Sequence, residues 1–146
     1  MATIQDSGVQ AADLATRAKR ALERVCSGAE LEHASAYYDA KFEDHVNDVA
    51  FHGLKGVHRS VKMYQRAFPD MQIAVEEQIV QDDRVVSRFV FTGTHRGRRV
   101  RFNGITISRF ENGMIVQDWS VTDSLGMLRQ LGLWRALTML LQSARK

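Results

Sequence analysis

One cysteine, one proline and no long apolar run occur in this 146-residue chain, and each scarcity closes off a class of protein. Cys26 alone excludes an internal disulfide and any multi-cysteine metal site. It falls at the expected end of a helix beside Gly28, a poor setting for a nucleophile. The longest apolar-rich region, Leu125 to Leu141, is interrupted by Arg129, Gln130 and Arg135, short of the roughly 20 apolar residues that span a bilayer. No membrane span is expected. The N-terminal region places Asp6, Asp13, Arg17, Lys19, Arg20, Glu23 and Arg24 at helical intervals without the apolar stretch of a secretory signal, so a cytoplasmic address is expected. The formal charge is only +3, and basic residues crowd only at Arg96, Arg98, Arg99 and Arg101. Without aromatic platforms or an extended basic stripe, that tetrad reads as a solvated hairpin tip, and no nucleic-acid partner is expected. No G-x-S-x-G elbow, G-x-G-x-x-G turn or P-loop is present, so nucleophilic hydrolases and nucleotide binders fall away. None of the five histidines stands four residues from another. The His45-x₆-His52 spacing within an irregular arm is weak evidence for zinc, and no metal is expected.

What the chain does have is the balance of one globular domain: 45% hydrophobic and 25% charged residues, enough to bury about two thirds of the unfolded surface. Ser7 and Gln10 fit a capping box, and Leu14, Ala18, Leu22 and Val25 follow at helical spacing, giving a first helix from about residue 8 to 26. A shorter helix is expected over Ala29–Tyr38. Asp39–Gly56 reads as an irregular arm with a short strand at Val49–His52. Val57, Val61, Tyr64 and Phe68 mark a third helix, which Pro69-Asp70 stops. Four strands follow, Gln72–Val80, Arg84–His95, Arg99–Phe110 and Met114–Asp123. The Asn112-Gly113 dipeptide between the last two is a strong hairpin signal, because both residues tolerate the positive φ of a type I′ turn. Ser124–Lys146 carries a helical apolar stripe broken near Gly132. Helices first and an antiparallel meander afterwards is an α+β order, with helices on one face of a bent sheet.

Several side chains could carry chemistry. Asp123 ends an apolar strand and, counting by twos, shares a face with Trp119. On a concave side, desolvation would raise its pKa toward that of a general base; the alternative is an N-cap for the next helix. Trp119 could wall a polycyclic ligand or simply pack. Arg88, on a central strand with Val90, Thr92 and Thr94, calls for a partner carboxylate. His45 is a candidate pocket acid or a surface histidine.

The ordered set Tyr37-Tyr38, Asp44-His45, Gly53, Gly56, Ala67–Met71, Asp83–Val86 with Arg88, Thr92–Gly97, Phe102–Asp123 and Leu125–Gly132 resembles the SnoaL-like polyketide cyclase family. The match runs over about residues 30 to 132. The resemblance implies a nuclear transport factor 2-like fold: a cone-shaped α+β barrel with a strongly bent antiparallel sheet wrapped on N-terminal helices. It places a single domain over 1–146, with a core at about 8–132 and a helical extension at 133–146, and it implies homodimers. Asp123 matches the last-strand aspartate that acts in the family as general acid/base for an intramolecular aldol closure, without cofactor. On that reading His45 or Arg88 polarises a carbonyl, while Trp119, Tyr38, Tyr64 and Asn103 contact a hydrophobic polycyclic or polyketide-like molecule. Limonene-type epoxide hydrolases of the superfamily use Arg-x-Asp, whereas Arg88-Phe89 is followed here by Val90. A non-catalytic binding or interaction module, or an isomerase or epoxide-opening enzyme, are the alternatives the fold leaves open.

Overall fold

The computed structural model describes residues 4–144; Met1–Thr3 and Arg145–Lys146, at the two ends of the expected domain, lie outside the described residues. The first helix, α1 (Ile4–Arg20), begins before Ser7 and widens without a break into a π-helical turn, Ala21–Cys26. Leu14, Ala18, Leu22 and Val25, the residues of the expected stripe, are buried. The second expected helix is only a 3₁₀ segment, Leu31–Ala36, and Tyr38 already belongs to a strand.

The expected irregular arm is instead a β-hairpin, β1 (Tyr38–Val46) and β2 (Val49–His52). Its charged residues hid the alternation. Tyr38, Phe42 and Asp44 point inward, while Lys41, Glu43 and their neighbours face outward. Helix α2 (Gly53–Ala67) follows, buries Val57 and Val61, and ends just before Pro69. The meander of β3 (Gln72–Gln81), β4 (Arg84–His95), β5 (Arg98–Glu111) and β6 (Met114–Thr122) agrees with the sequence pattern to within one residue at most ends. Asn112 and Gly113 have φ of 50° and 75°, the pair a type I′ turn requires.

The six strands form one sheet in the order β2-β1-β6-β5-β4-β3. One pairing departs from the expected all-antiparallel arrangement: β1 runs parallel to β6, with Asp44 opposite Asp118 and His45 opposite Trp119. The meander bends so that its last strand returns to the first hairpin. A register shift between β5 and β6, where Phe110 faces Ile115 but Arg109 faces Gln117, inserts an extra residue into β6. Such a bulge reverses which side chains face inward beyond it.

The core lies between the concave face of the sheet and α1, its π-helical turn and α2. Phe68, Phe91 and Phe102 form an aromatic row, with Phe91 and Phe102 stacked at 4.5 Å. Gly104 lets the Phe89 ring lie across the backbone of β5, where a Cβ would meet that ring. After β6, α3 (Ser124–Leu131) runs back along β5, and Gly132 turns the chain into α4 (Leu133–Ala144). Leu131 is buried and Met139 packs on the core, while Trp134, Leu137 and Leu141 of α4 are exposed. Among the described residues no helix is long and apolar enough to cross a membrane.

Candidate active site

The concave face of the sheet, α2 and the π-helical turn line a cavity of about 80 Å³ that opens to solvent. Much of its wall is apolar, with Leu22, Phe42, Val57, Val61, Phe89 and Phe102 among its side chains. Polar groups come from three adjacent strands. Asp44 on β1, Asp118 and Ser120 on β6, and Thr106 on β5 all line it.

The parallel register of β1 and β6 makes Asp44 and Asp118 direct neighbours across the sheet, where strands lie about 4.8 Å apart. They are only 8% and 4% exposed. Burial pushes Asp44 up to about 7. Asp118 is pushed up to about 8, first by burial and then by the charge of Asp44, against a lowering contribution from the Ser108 hydroxyl. Two buried carboxyls this close do not both ionise at neutral pH, so the pair retains a proton. Asp118 Oδ1 is buried without a hydrogen-bond partner. An unmatched acceptor, or donor when protonated, is costly in an apolar setting. It therefore marks a place where a ligand atom would be welcome.

Beside the pair, the Thr106 and Ser120 hydroxyls are 2.8 Å apart and share one hydrogen bond. Tyr38 and Tyr64 also line the cavity. Burial raises the phenol pKa of each; for Tyr64 the charge of Asp44 adds to it. Both phenols keep their protons. Among the described residues no three His, Cys, Asp or Glu side chains converge as a metal site would need.

The other residues singled out from the sequence lie elsewhere. Asp123 is exposed and caps α3, its Oδ1 accepting the Gly126 N–H at 2.8 Å. Nothing buries it, so the desolvation expected to make it a base is missing. Trp119 does share its side of β6, but that side is the convex one: Trp119 is 53% exposed and stacks on the His45 ring at 4.0 Å. His45 consequently faces away from the cavity, 3.8 Å from Glu43 Oε2. Arg88 found its partner carboxylates, Glu76 at 2.6 Å and Glu77 at 3.0 Å, on the outer surface. Asn103 is exposed, and its carbonyl accepts the Asp123 N–H at 3.0 Å. The structure thus brings Tyr38 and Tyr64 to the cavity and leaves Asp123, His45, Arg88, Trp119 and Asn103 outside it. The carboxyls that sequence reasoning missed are Asp44 and Asp118. The available signal was their place one residue away from His45 and Trp119, on the opposite face.

Comparison with known proteins agrees with this architecture. The family model of SnoaL-like polyketide cyclases matches residues 16–131. Among solved structures, a candidate polyketide cyclase from Bacillus cereus superposes with a TM-score of 0.74 at 26% identity, over 83% of this chain and 81% of that one. IdmH, a candidate polyketide cyclase from Streptomyces antibioticus, gives a TM-score of 0.71 at 24% identity, covering 85% of this chain and 99% of its own. A protein of ketosteroid isomerase-like fold from Catenulispora acidiphila, solved with trimethylamine, gives 0.70 at 14% identity, over 77% and 90% of the two chains. The last two share the fold at identities too low to speak to chemistry. No curated protein matches the chain.

Proposed function

The chain belongs to the SnoaL-like polyketide cyclase family, a membership that supports a cyclase-type role, and on that premise we propose that it closes a ring by an intramolecular aldol reaction at the Asp44–Asp118 pair. The observation that carries this reading is the pair itself: two neighbouring buried carboxyls in an apolar cavity, raised toward neutral pH by burial. Asp44, as the ionised member of the pair, takes a proton from a carbon flanked by carbonyls. The resulting enolate carbon attacks a second carbonyl of the same folded molecule and forms the new carbon–carbon bond. The alkoxide so produced takes the proton of Asp118. Transfer of one proton from Asp44 to Asp118 restores the starting state, so atoms and charge balance. The apolar wall favours a hydrophobic, carbonyl-rich substrate and excludes water from the enolate. Holding both reacting carbons together would contribute several kcal/mol to lowering the barrier.

A surrogate carbon acid tests the reading without the true substrate. 2-Tetralone is a small apolar ketone whose C1 protons exchange slowly with deuterium in water, and NMR follows that uptake. The wild-type protein is expected to accelerate it. Asp44→Asn and Asp118→Asn should each reduce the acceleration by about 10²-fold or more, the range of positioned acid/base groups. Asp123→Asn, which alters only a helix cap, should leave it unchanged. Loss of exchange in Asp123→Asn with full activity in the other two would return the role to Asp123.

The convex face of the sheet is the proposed site of a second copy. Ile105, Ile107, Trp119 and Val121 are neighbours on β5 and β6 and are each 39% to 62% exposed. The nearby Arg88 is already paired with Glu76 and Glu77 of its own chain. A surface that is apolar and locally neutral matches another copy of itself.

A further inference from the structure

Cys26 and Tyr38 meet at one side of the cavity, their Sγ and phenol oxygen 3.1 Å apart. Neither residue has a part in the proton transfers described above. Cys26 closes the π-helical turn Ala21–Cys26, while Tyr38 opens β1, six residues before Asp44 and on the same concave face. π-Helical turns are rare and recur at functional sites; this one joins a helix to the cavity wall, where Leu22 and Cys26 both lie. The same cavity holds the buried, unpartnered Oδ1 of Asp118. Polar groups on two elements therefore face one space, and one of them lacks a partner that a ligand would supply.

We infer that Tyr38 donates the hydrogen bond that receives the developing enolate oxygen, and that the Cys26 thiol positions it by donating to the phenol oxygen. The inference rests on the carbon-acid reading only for the identity of the ligand. Burial pushes the Cys26 thiol up to about 12 and the Tyr38 phenol well above its ordinary value, so each carries its proton at neutral pH. A neutral phenol has a single proton to give but two acceptor positions. With the cavity empty, either group can donate to the other. When a ligand oxygen enters, the Tyr38 O–H turns to it and the S–H fills the acceptor position left behind. The thiol acts as a weak but directional clamp, and the phenol is the group that touches substrate. Among nearby hydroxyls, those of Thr106 and Ser120 already engage each other. A preorganised donor aimed at developing negative charge is worth more in the transition state than in the ground state.

Two planar probes separate hydrogen bonding from packing. 2-Naphthol imitates the enol of 2-tetralone, and naphthalene is the same ring system without oxygen. Fluorescence titration should show 2-naphthol bound more tightly than naphthalene by about 10-fold, the equivalent of roughly 1.4 kcal/mol. Tyr38→Phe should erase most of that margin and leave naphthalene affinity within about twofold. Cys26→Ala should lose part of the margin, and Cys26→Ser should restore it. In 2-tetralone exchange, Tyr38→Phe should lower kcat by about 10-fold or more with KM nearly unchanged. Equal weakening of both probes in Tyr38→Phe, or no weakening of either, overturns the role of Tyr38. An intact margin in Cys26→Ala overturns the role of Cys26. If wild-type protein fails to exchange 2-tetralone yet keeps a Tyr38-dependent margin for 2-naphthol, the cyclase reading fails and the donor assignment stands.

Discussion

At Asp118 the chain accepts an energetic penalty, and the penalty has a measurable pH dependence. An unfolded aspartate ionises near 3.9, whereas burial in the folded protein pushes Asp44 up to about 7 and Asp118 up to about 8. Below about pH 3.9 both states hold these protons and the full benefit of protonation in the fold is present. As pH rises toward 8, the unfolded chain has released protons that the folded chain still binds. Stability then falls, at about 1.4 kcal/mol per pH unit for each proton retained. Urea unfolding should accordingly show a lower midpoint at pH 8 than at pH 5. Asp118→Asn, neutral in both states, should flatten much of that slope; an unaltered slope in the variant would contradict the burial-driven shift. The same neighbourhood shows how a single-residue offset separates a site from its surface. His45 and Trp119 stack on one side of the sheet while Asp44 and Asp118 share the other. Chemistry-bearing residue types stood at both positions of each pair, and nothing in composition distinguished them.

Element by element, the legible features were those with strong local codes. The apolar period of α1 and α2, the turn chemistry of Asn112-Gly113 and the alternation in β4 all reflect preferences within a few residues. β1 escaped because Lys41, Glu43 and His45 on its outer face read as a charged arm, and its strand identity depends on pairing with β6, far away in sequence. In a regular β6, alternation from the buried Ile115 would turn Trp119, Val121 and Asp123 inward. The bulge before Gln117 adds one residue, and Asp118, Ser120 and Thr122 face the cavity instead. Bulges are tertiary features with weak sequence signatures, so this one reversed the expected site while leaving the strand boundaries right. Asp123 consequently serves the element that follows it. Its side chain satisfies the Gly126 N–H and its carbonyl accepts the Met127 N–H at 3.0 Å. Asp123→Ala should therefore cost about 1 kcal/mol of stability, the usual cost of losing an N-cap. Chemical denaturation would show that loss, while 2-tetralone exchange per folded molecule stays at the wild-type rate. A large fall in exchange without loss of stability would mean that Asp123 does more than cap.

At the scale of the whole molecule, the two faces of the sheet divide the work between them. The concave face spends its apolar residues on the core and the cavity. The convex face carries Ile105, Ile107, Trp119 and Val121, with cross-strand pairs Ile105–Val121 and Ile107–Trp119. Cross-strand pairs of this kind bring apolar side chains into mutual contact on one face, but contact within the sheet leaves their outer surfaces in water. Packing two such faces together at about 10 Å would remove those surfaces at roughly 25 cal/mol per Å² of apolar area. Stable interfaces bury about 800 Å² per partner, so the patch would serve as the apolar centre and its charged surroundings as the rim. Sedimentation equilibrium is therefore expected to find a dimer. The double variant Ile107→Lys with Trp119→Lys places like charges on both copies at the centre of that contact and should shift the protein to monomer. Since these side chains point away from Asp44 and Asp118, the monomeric variant should still exchange 2-tetralone. A wild-type monomer, or a variant that remains dimeric, would assign the exposed face to something other than a second copy.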